Sequence, residues 1–344
     1  MIALATVMVA RAFDFSAVAP TGQTLYYQIT SSTTVKLVSG DTKPAGRLTI
    51  PSTANGYSVT EIAASGLSNC PQLTSVTVPG SITVIGMRAF AGDGSLTSAF
   101  LSEGVQRIGM MAFSSCTSLD TIVLPASLTS IAVGILGNTA YINNQDNWSD
   151  GTVLYAGRYL IASRSAMEGH LVVADSIEGI ANDALDYCHI SQVSLPASLR
   201  FIGELAFKDC TLLDTVRIAA TTPPALAADA FQNTSDSLAV LVPCRTLATY
   251  RSASNWGSLN LVDTCSTPGE GIVGTDAAAP AVTLVPGGIR IDAPAGTLLT
   301  VCDAMGRRIA TATAANGSTF LPLPAPGLYV ATAGGSVRKI LYLK

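Results

Sequence analysis

Charge is what this sequence has least of. Asp, Glu, Lys and Arg make up 12% of its 344 residues, against roughly a quarter in an ordinary soluble domain. The surface must therefore be built largely from Ser, Thr, Gly, Ala and Asn. A net charge of −4 excludes a polybasic nucleic-acid binder and a highly charged disordered chain. Aromatic residues are 6%, too few for a base-stacking surface. Long apolar runs are missing as well. The longest, Ile2 to Ala10, falls short of the ~20 residues a membrane-spanning helix needs, although mean hydropathy is +0.42.

Catalytic motifs are also missing. Of the two histidines, His170 and His189, the second follows Cys188, and adjacent residues on a turn point apart, which disfavours a Cys–His nucleophile pair. There is no H-E-x-x-H, no G-x-S-x-G and no phosphate-cradling glycine loop. Carboxylates are scattered rather than paired as a glycosidase requires. The expectation is a protein that is not an enzyme and holds no metal or cofactor.

What the chain does have begins with a processing signal. Residues 1–12 read as a signal peptide: an apolar stretch to Ala10, then Ala10-Arg11-Ala12 as an A-x-A cleavage site before Phe13, without a basic n-region. Export would permit disulfides. The seven cysteines are Cys70, Cys116, Cys188, Cys210, Cys244, Cys265 and Cys302, so at least one stays unpaired within the chain.

The middle of the chain repeats. Ile85-Gly86-Met-Arg-Ala89-Phe90 recurs as Ile108-Gly109-Met-Met-Ala112-Phe113 and as Ile202-Gly203-Glu-Leu-Ala206-Phe207. Ile62, Ile85, Ile108 and Ile131 are 23 residues apart, and Ile180 and Ile202 are 22 apart. Such a period with Leu and Ile at fixed places marks a leucine-rich solenoid. Each unit opens with a strand having one buried face, as in Leu73-Thr-Ser-Val76-Thr-Val78-Pro79 and Leu119-Asp-Thr-Ile122-Val-Leu124-Pro125. Proline ends it, since it cannot donate to the ladder. A Ser-Leu or Ser-Ile step follows, then the Ile-Gly-x-x-Ala-Phe turn. There Ala is expected to allow close approach of neighbouring coils and Phe to fill the space between them.

These residues, Leu-x-x-Ile-x-Leu-Pro-x-Ser-Leu-x-x-Ile-Gly-x-x-Ala-Phe-x-x-Cys, resemble the BspA-type leucine-rich repeat of bacterial surface proteins, over roughly Leu48 to Leu259. The resemblance implies a mainly β solenoid of ~23-residue coils. Its closing Cys stands at Cys70, Cys116, Cys188 and Cys210, with departures at Asp93 and Thr139. Those four cysteines are expected to be buried, thiol-bearing fillers rather than disulfide partners or metal ligands.

The expected organisation is an N-terminal cap over 13–47, repeats over 48–237, a C-terminal cap over 238–265, a linker over 266–281 and a small all-β sandwich over 282–344. One inserted hairpin interrupts the repeats over 141–167, because Ile131 and Ile180 are 49 residues apart, three more than two periods. Asn143 to Gly151 could be a Ca2+ loop, but it lacks the order of an EF-hand and reads better as a turn. Cys244 and Cys265 flank the C-terminal cap and could bridge it, the alternative being two free thiols.

Asp303-Ala-Met-Gly306-Arg307, Pro326-Gly327-Leu328-Tyr329-Val330 and Arg338-Lys339-Ile340 resemble the C-terminal sorting domain of the type IX secretion system of Bacteroidetes. The resemblance implies passage across the outer membrane, often with loss of the tail and anchoring to surface glycolipid. The alternative is an ordinary β-sandwich ligand domain.

Function then rests on a surface. The strand residues pointing out are Ser75 and Thr77, Ser98 and Phe100, Thr121 and Val123, Gln192 and Ser194, Thr215 and Arg217. They make a neutral, hydroxyl-rich face with Phe100 and Val123 as an apolar spot. Either this spot is a contact site or Phe100 tucks under the inserted hairpin. The expected function is surface-displayed protein binding or adhesion, with a host matrix protein or another bacterial surface protein as partner. Glycan capture is the second reading, and a glycan site usually wants more than one aromatic.

Overall fold

The computed structural model describes residues 13–164, 167–265, 272–273, 281–303, 308–314, 318–324, 327–333 and 336–342. Residues 1–12, expected to be a signal peptide, and most of the expected linker lie outside them. The chain forms two compact units. The first runs to Leu241 and takes in Thr249–Leu261; the second is Val242–Ala248 with Val262–Lys344.

The first unit is a β-solenoid. Longer strands at Gly46–Thr49, Leu73–Val78, Ser98–Leu101 and Thr121–Val123 pair side by side in a parallel sheet. A second parallel ladder joins Tyr57–Ile62 to two-residue strands at Val84–Ile85, Arg107–Ile108 and Ser130–Ile131. A third line of backbone hydrogen bonds runs through the turns, as in Arg88 N–H to Met110 O (2.9 Å) and Phe90 N–H to Ala112 O (2.8 Å). Pairing partners are 23 residues apart: Ser75 faces Ser98, which faces Thr121. The 23-residue period is thus the circumference of one coil.

Inward residues of successive coils make the core. Leu73, Val76, Val78, Ile82, Ile85 and Phe90 are fully buried, as are Leu96, Ile108 and Phe113 one coil on. The rings of Phe90 and Phe113 stack at 4.9 Å and those of Phe207 and Phe231 at 5.0 Å. A single coil cannot bury both sides of such a layer, so each depends on its neighbours.

Glycine permits close approach of neighbouring coils. A Cβ on Gly109 would lie 2.6 Å from Met87 N, and one on Gly86 would lie 2.6 Å from Ala64 N. Ala89 and Ala112 are fully buried in the same turns, and their carbonyls accept from Leu67 and Phe90 N–H of the preceding coils (both 2.8 Å). Two residues after each glycine the backbone turns left-handed, at Arg88 (φ 55°), Met111 (φ 56°) and Leu205 (φ 55°). That conformation costs an L-residue about 1–2 kcal/mol. It recurs because it aims each N–H at the carbonyl of the next coil, as Arg88 and Met111 show.

The array is interrupted where Thr139 replaces the closing Cys. Buried Thr139 donates to Leu136 O (2.8 Å) and accepts from Ile142 N–H, capping a helical turn at Ala140–Asn143. A 3-10 turn at Gln145–Asn147 follows, and then an antiparallel trio, Trp148–Ser149, Val153–Ala156 and Tyr159–Ser163. The insert is therefore more than a hairpin. Its amide-rich segment is occupied with internal contacts: Asn144 Oδ1 accepts from Asp146 N–H, Asn147 Nδ2 donates to Tyr141 O and Trp148 Nε1 donates to Ile142 O. Arg164 lies over the Trp148 ring at 4.6 Å.

Tyr159–Ser163 then pairs parallel with Gly179–Ile180, and the coils resume through Phe201–Ile202 and Ala225–Leu226. Their longer strands are Glu168–Val172, His189–Leu195, Thr215–Ile218, Ala239–Val242 and Leu261–Asp263. Coils before and after the insert touch directly. Tyr159 OH donates to Pro125 O (2.6 Å), Asn182 N–H to Ile131 O (2.9 Å) and Arg200 to Ala126 O. Glu178 accepts from both Arg158 and Arg200 at this junction.

At the N-terminal end Phe15–Val18, Thr24–Ile29 and Thr34–Val38 form an antiparallel trio, and Thr34–Val38 already runs parallel to Tyr57–Ile62. Coil geometry therefore begins ahead of residue 48. Near the other end the helix Leu247–Ser252 carries buried Tyr250, whose OH donates to Ala220 O (2.7 Å). Buried Trp256 donates from Nε1 to Pro224 O (2.7 Å).

The second unit has two antiparallel sheets. One holds Ile272–Val273, Ser336–Tyr342, Gly327–Ala333, Leu298–Asp303 and Arg308–Thr313; the other holds Ala281–Val285, Gly288–Asp292 and Ser318–Pro322. Val282, Ile289, Ile291, Leu299, Val301, Leu321 and Tyr329 make its core. The stretch expected as linker departs from that reading at Ile272–Val273, which pairs with Lys339 and Ile340 on the last strand. Two β-branched residues in a glycine-rich setting suffice to add an edge strand.

Candidate binding face

The outward positions of the longer strands form two parallel rows, because successive side chains of a strand alternate sides. Ser75, Ser98 and Thr121 stand in register in the first row, and Thr77, Phe100 and Val123 in the second. Between them Val76, Ala99, Val78 and Leu101 point into the core. Phe100 is 42% exposed and Val123 48%, and they are pairing partners on adjacent strands. The exposure of Phe100 argues against the alternative that the insert covers it.

Beyond the insert the rows resume on a separate sheet. Gln192 faces Thr215 and Ser194 faces Arg217. The sequence reading ended the insert at 167 and missed the strand that follows it. Glu168–Val172 places His170 opposite Gln192 and Val172 opposite Ser194, and Val172 is 64% exposed. The signal was present: Ser176-Ile177 repeats the Ser-Leu step of Ser198-Leu199. Arg217 brings a positive charge to this sheet, as exposed Arg47, the pairing partner of Ser75, does to the first.

His170 Nε2 and Ser194 Oγ are 2.9 Å apart on this face. A nucleophilic pair also needs a group that orients the imidazole and donors for an oxyanion. Among the described residues no hydrogen bond to the other ring nitrogen is recorded, and the pair sits on an open strand surface.

A second exposed row was not anticipated. Met87 and Met110, the residues after Gly86 and Gly109, are 44% and 37% exposed on the turn edge.

The closing-Cys column is buried. Cys70 Sγ donates to Leu67 O (2.9 Å), Cys116 Sγ to Phe90 O (3.1 Å) and Cys210 Sγ to Leu185 O (3.0 Å). Burial pushes the Cys70 and Cys116 thiols up to about 12, so both stay protonated. Asp93 stands in this column with no exposed surface. Its Oδ1 accepts from Cys70 N–H (2.7 Å), and its Oδ2 is buried without a partner. Burial pushes the carboxyl up to about 7, against the Cys70 N–H bond and the Lys43 charge, which pull it down.

Cys244 and Cys265 are joined by a disulfide within the second unit. Asp263 lies beside them, but sulfurs in that bond offer no thiolate to a metal. Of the residues carrying the sorting resemblance, Asp303 lies on Leu298–Asp303, Gly327 and buried Tyr329 on Gly327–Ala333, and Lys339 on the last strand, while Gly306 and Arg307 fall outside the described residues. Asp303 and Tyr329 are pairing partners, as are Val330 and Lys339.

Among solved structures the chain is similar to a leucine-rich repeat protein from Bacteroides ovatus, at 18% identity over 73% of this chain and 76% of that one, with a TM-score of 0.35. It is also similar to a leucine rich cell surface protein from Faecalibacterium prausnitzii, at 19% identity over 74% and 96%, with a TM-score of 0.26. A third, a leucine-rich repeat protein from Bacteroides capillosus, is 29% identical over 38% and 96%, with a TM-score of 0.33. Comparison with curated proteins gives no match. The BspA type leucine rich repeat region matches in six copies, over residues 47–158 and 169–260. Those residues are more than half of the chain and carry the coils described above, and the protein belongs to the BspA-type leucine-rich repeat family.

Proposed function

We propose that the protein is a non-catalytic binding protein of the bacterial cell surface, with the outward face of the longer strands as its contact site and a protein as its partner. The observation that carries this reading is the juxtaposition of exposed Phe100 and Val123, in register, beside the hydroxyls of Ser75, Thr77, Ser98 and Thr121. Exposed apolar groups ringed by polar ones are favourable to bury against a partner, and aromatic anchors dominate such contacts. Serine and threonine around them exclude water from the rim without bringing charge that must be desolvated. Surface display is supported by the description of the Faecalibacterium prausnitzii relative as a cell surface protein. No helix among the described residues is long and apolar enough to cross a membrane.

The test is a binding screen of the chain over an array of host matrix proteins, bacterial surface proteins and glycans. Phe100→Ser should weaken the protein interaction found by about 2 kcal/mol, roughly thirtyfold, with the melting curve nearly unchanged. Retained affinity in that variant would remove Phe100 from the site. Binding confined to glycans would replace the protein partner with a sugar.

We further propose that the second unit is a sorting domain of the type IX secretion class, on the strength of the motifs around Asp303, Tyr329 and Lys339. A chain ending at Cys265, expressed in its native host, should then accumulate in the periplasm instead of reaching the surface. Surface display equal to that of the full chain would reject this assignment.

A further inference from the structure

The closing position of successive coils is occupied by Cys70, Asp93, Cys116 and Thr139 before the insert, and by Cys188 and Cys210 after it. Before the insert no two cysteines are neighbours, because the Asp93 coil separates Cys70 from Cys116. After it Cys188 and Cys210 stand on adjacent coils in matching places. The ladder leading to them is in register: Leu185 N–H donates to Ala206 O (2.9 Å) and Tyr187 N–H to Lys208 O (2.8 Å). Adjacent strands of such a stack lie about 4.8 Å apart. That is inside the ~4.4–6.8 Å between Cα atoms that a disulfide spans. Ser163 Oγ, from the last strand of the insert, is 3.1 Å from Cys188 Sγ. Both cysteines are buried.

We propose that Cys188 and Cys210 are a redox pair that closes to an inter-coil disulfide when the chain folds in an oxidising compartment, tying the first coil after the insert to the next. The step balances with a disulfide as oxidant, for instance oxidised glutathione. The Cys188 thiolate attacks one sulfur of the oxidant and releases one glutathione thiolate. The Cys210 thiolate then attacks the sulfur of Cys188 in the mixed disulfide and releases the second. Two electrons pass from the protein pair to the oxidant, and the two thiol protons end on the two glutathione molecules. In the packed chain the neighbouring Cys210 holds the Cys188 thiol below its ordinary range, whereas Cys188 and then burial hold Cys210 above it. Because the packed coils exclude an oxidant, exchange occurs before the coil docks or during its opening. The bond would fall where the longer-strand sheet restarts and Glu168–Val172 is an edge.

The full chain is reduced, unfolded and refolded in a buffer of reduced and oxidised glutathione. Remaining thiols are alkylated in denaturant, and the tryptic peptides are weighed. The proposal expects peptide 165–200 joined to peptide 209–217, two hydrogens lighter than their sum and separated by reductant, while Cys70 and Cys116 carry the alkyl group. Cys188→Ser, or Cys210→Ser should the first fail to fold, should abolish that species and leave the remaining cysteine alkylated. The Cys244–Cys265 bond in the same digest reports that conditions were oxidising enough. If that bond has formed while Cys188 and Cys210 are alkylated as fully as Cys70 and Cys116, the proposal is overturned.

Discussion

Phe113→Ala should cost the solenoid about 3–5 kcal/mol, the range for truncating a buried phenylalanine. The ring is fully buried and stacks on Phe90 at 4.9 Å with only 4° between the planes. On the next coil the carbonyl of Ile135, also buried, accepts from Phe113 N–H (3.0 Å). Truncation opens a void between three coils that rigid backbone ladders cannot close, so both the transfer and the cavity contributions are lost. The effect should spread, because each coil is held by its neighbours and a weakened central contact uncouples the two ends of the stack. Urea denaturation of the wild type and the variant measures it. A loss below about 1 kcal/mol would contradict the inward placement of the Phe column.

Asp93→Asn should remove a pH dependence that the wild type displays. The Asp93 carboxyl ordinarily titrates at 3.8 and is held at about 7 in the folded chain, chiefly by burial. A raised folded pKa means that between those values the native state holds more protons than the unfolded one. Stability therefore falls as pH rises from about 4 to about 7, and levels off above. At about 1.4 kcal/mol per pKa unit the full span is on the order of 4 kcal/mol. Asn keeps the oxygen that accepts from Cys70 N–H and cannot ionise. Urea midpoints at pH 5 and pH 8 should drop for the wild type and change much less for the variant. Equal drops in the two proteins would show that Asp93 is not the group responsible. Asp183 and Asp186, also raised by burial, contribute to both curves and cancel in the comparison.

Much of this architecture was legible because a solenoid writes its geometry into a period. Ile62, Ile85, Ile108 and Ile131 fix the coil circumference, and alternation at Val76, Thr77 and Val78 fixes which side faces out. What the sequence concealed lies where the period breaks or where one residue has two readings. In Ile-Gly-x-x-Ala-Phe the sequence does not show how tightly the glycine is placed: a Cβ on Gly109 would lie 2.6 Å from Met87 N. Thr139 looked like a simple departure from Cys, yet it caps the helical turn that ends the first array. Glu168–Val172 follows directly on the insert and runs into Val173 and Ala174 instead of a proline, so His170 and Val172 were left out of the face. Ile272–Val273 is too short to signal a strand without its partner Ile340. Exposed Met87 and Met110 carry no pattern of their own, since the positions after Ile-Gly are variable.

The central claim is that partners are met by the outward rows of the longer strands. Hydroxyl-radical footprinting of the free and the partner-bound chain tests it directly, because aromatic and thioether side chains react readily and stand on different sides of each coil. The account predicts that Phe100 is oxidised several-fold less in the complex, while Met87 and Met110 on the turn edge react as they do in the free protein. Protection of Met87 and Met110 with Phe100 unchanged would contradict it and move the contact site to the turn edge.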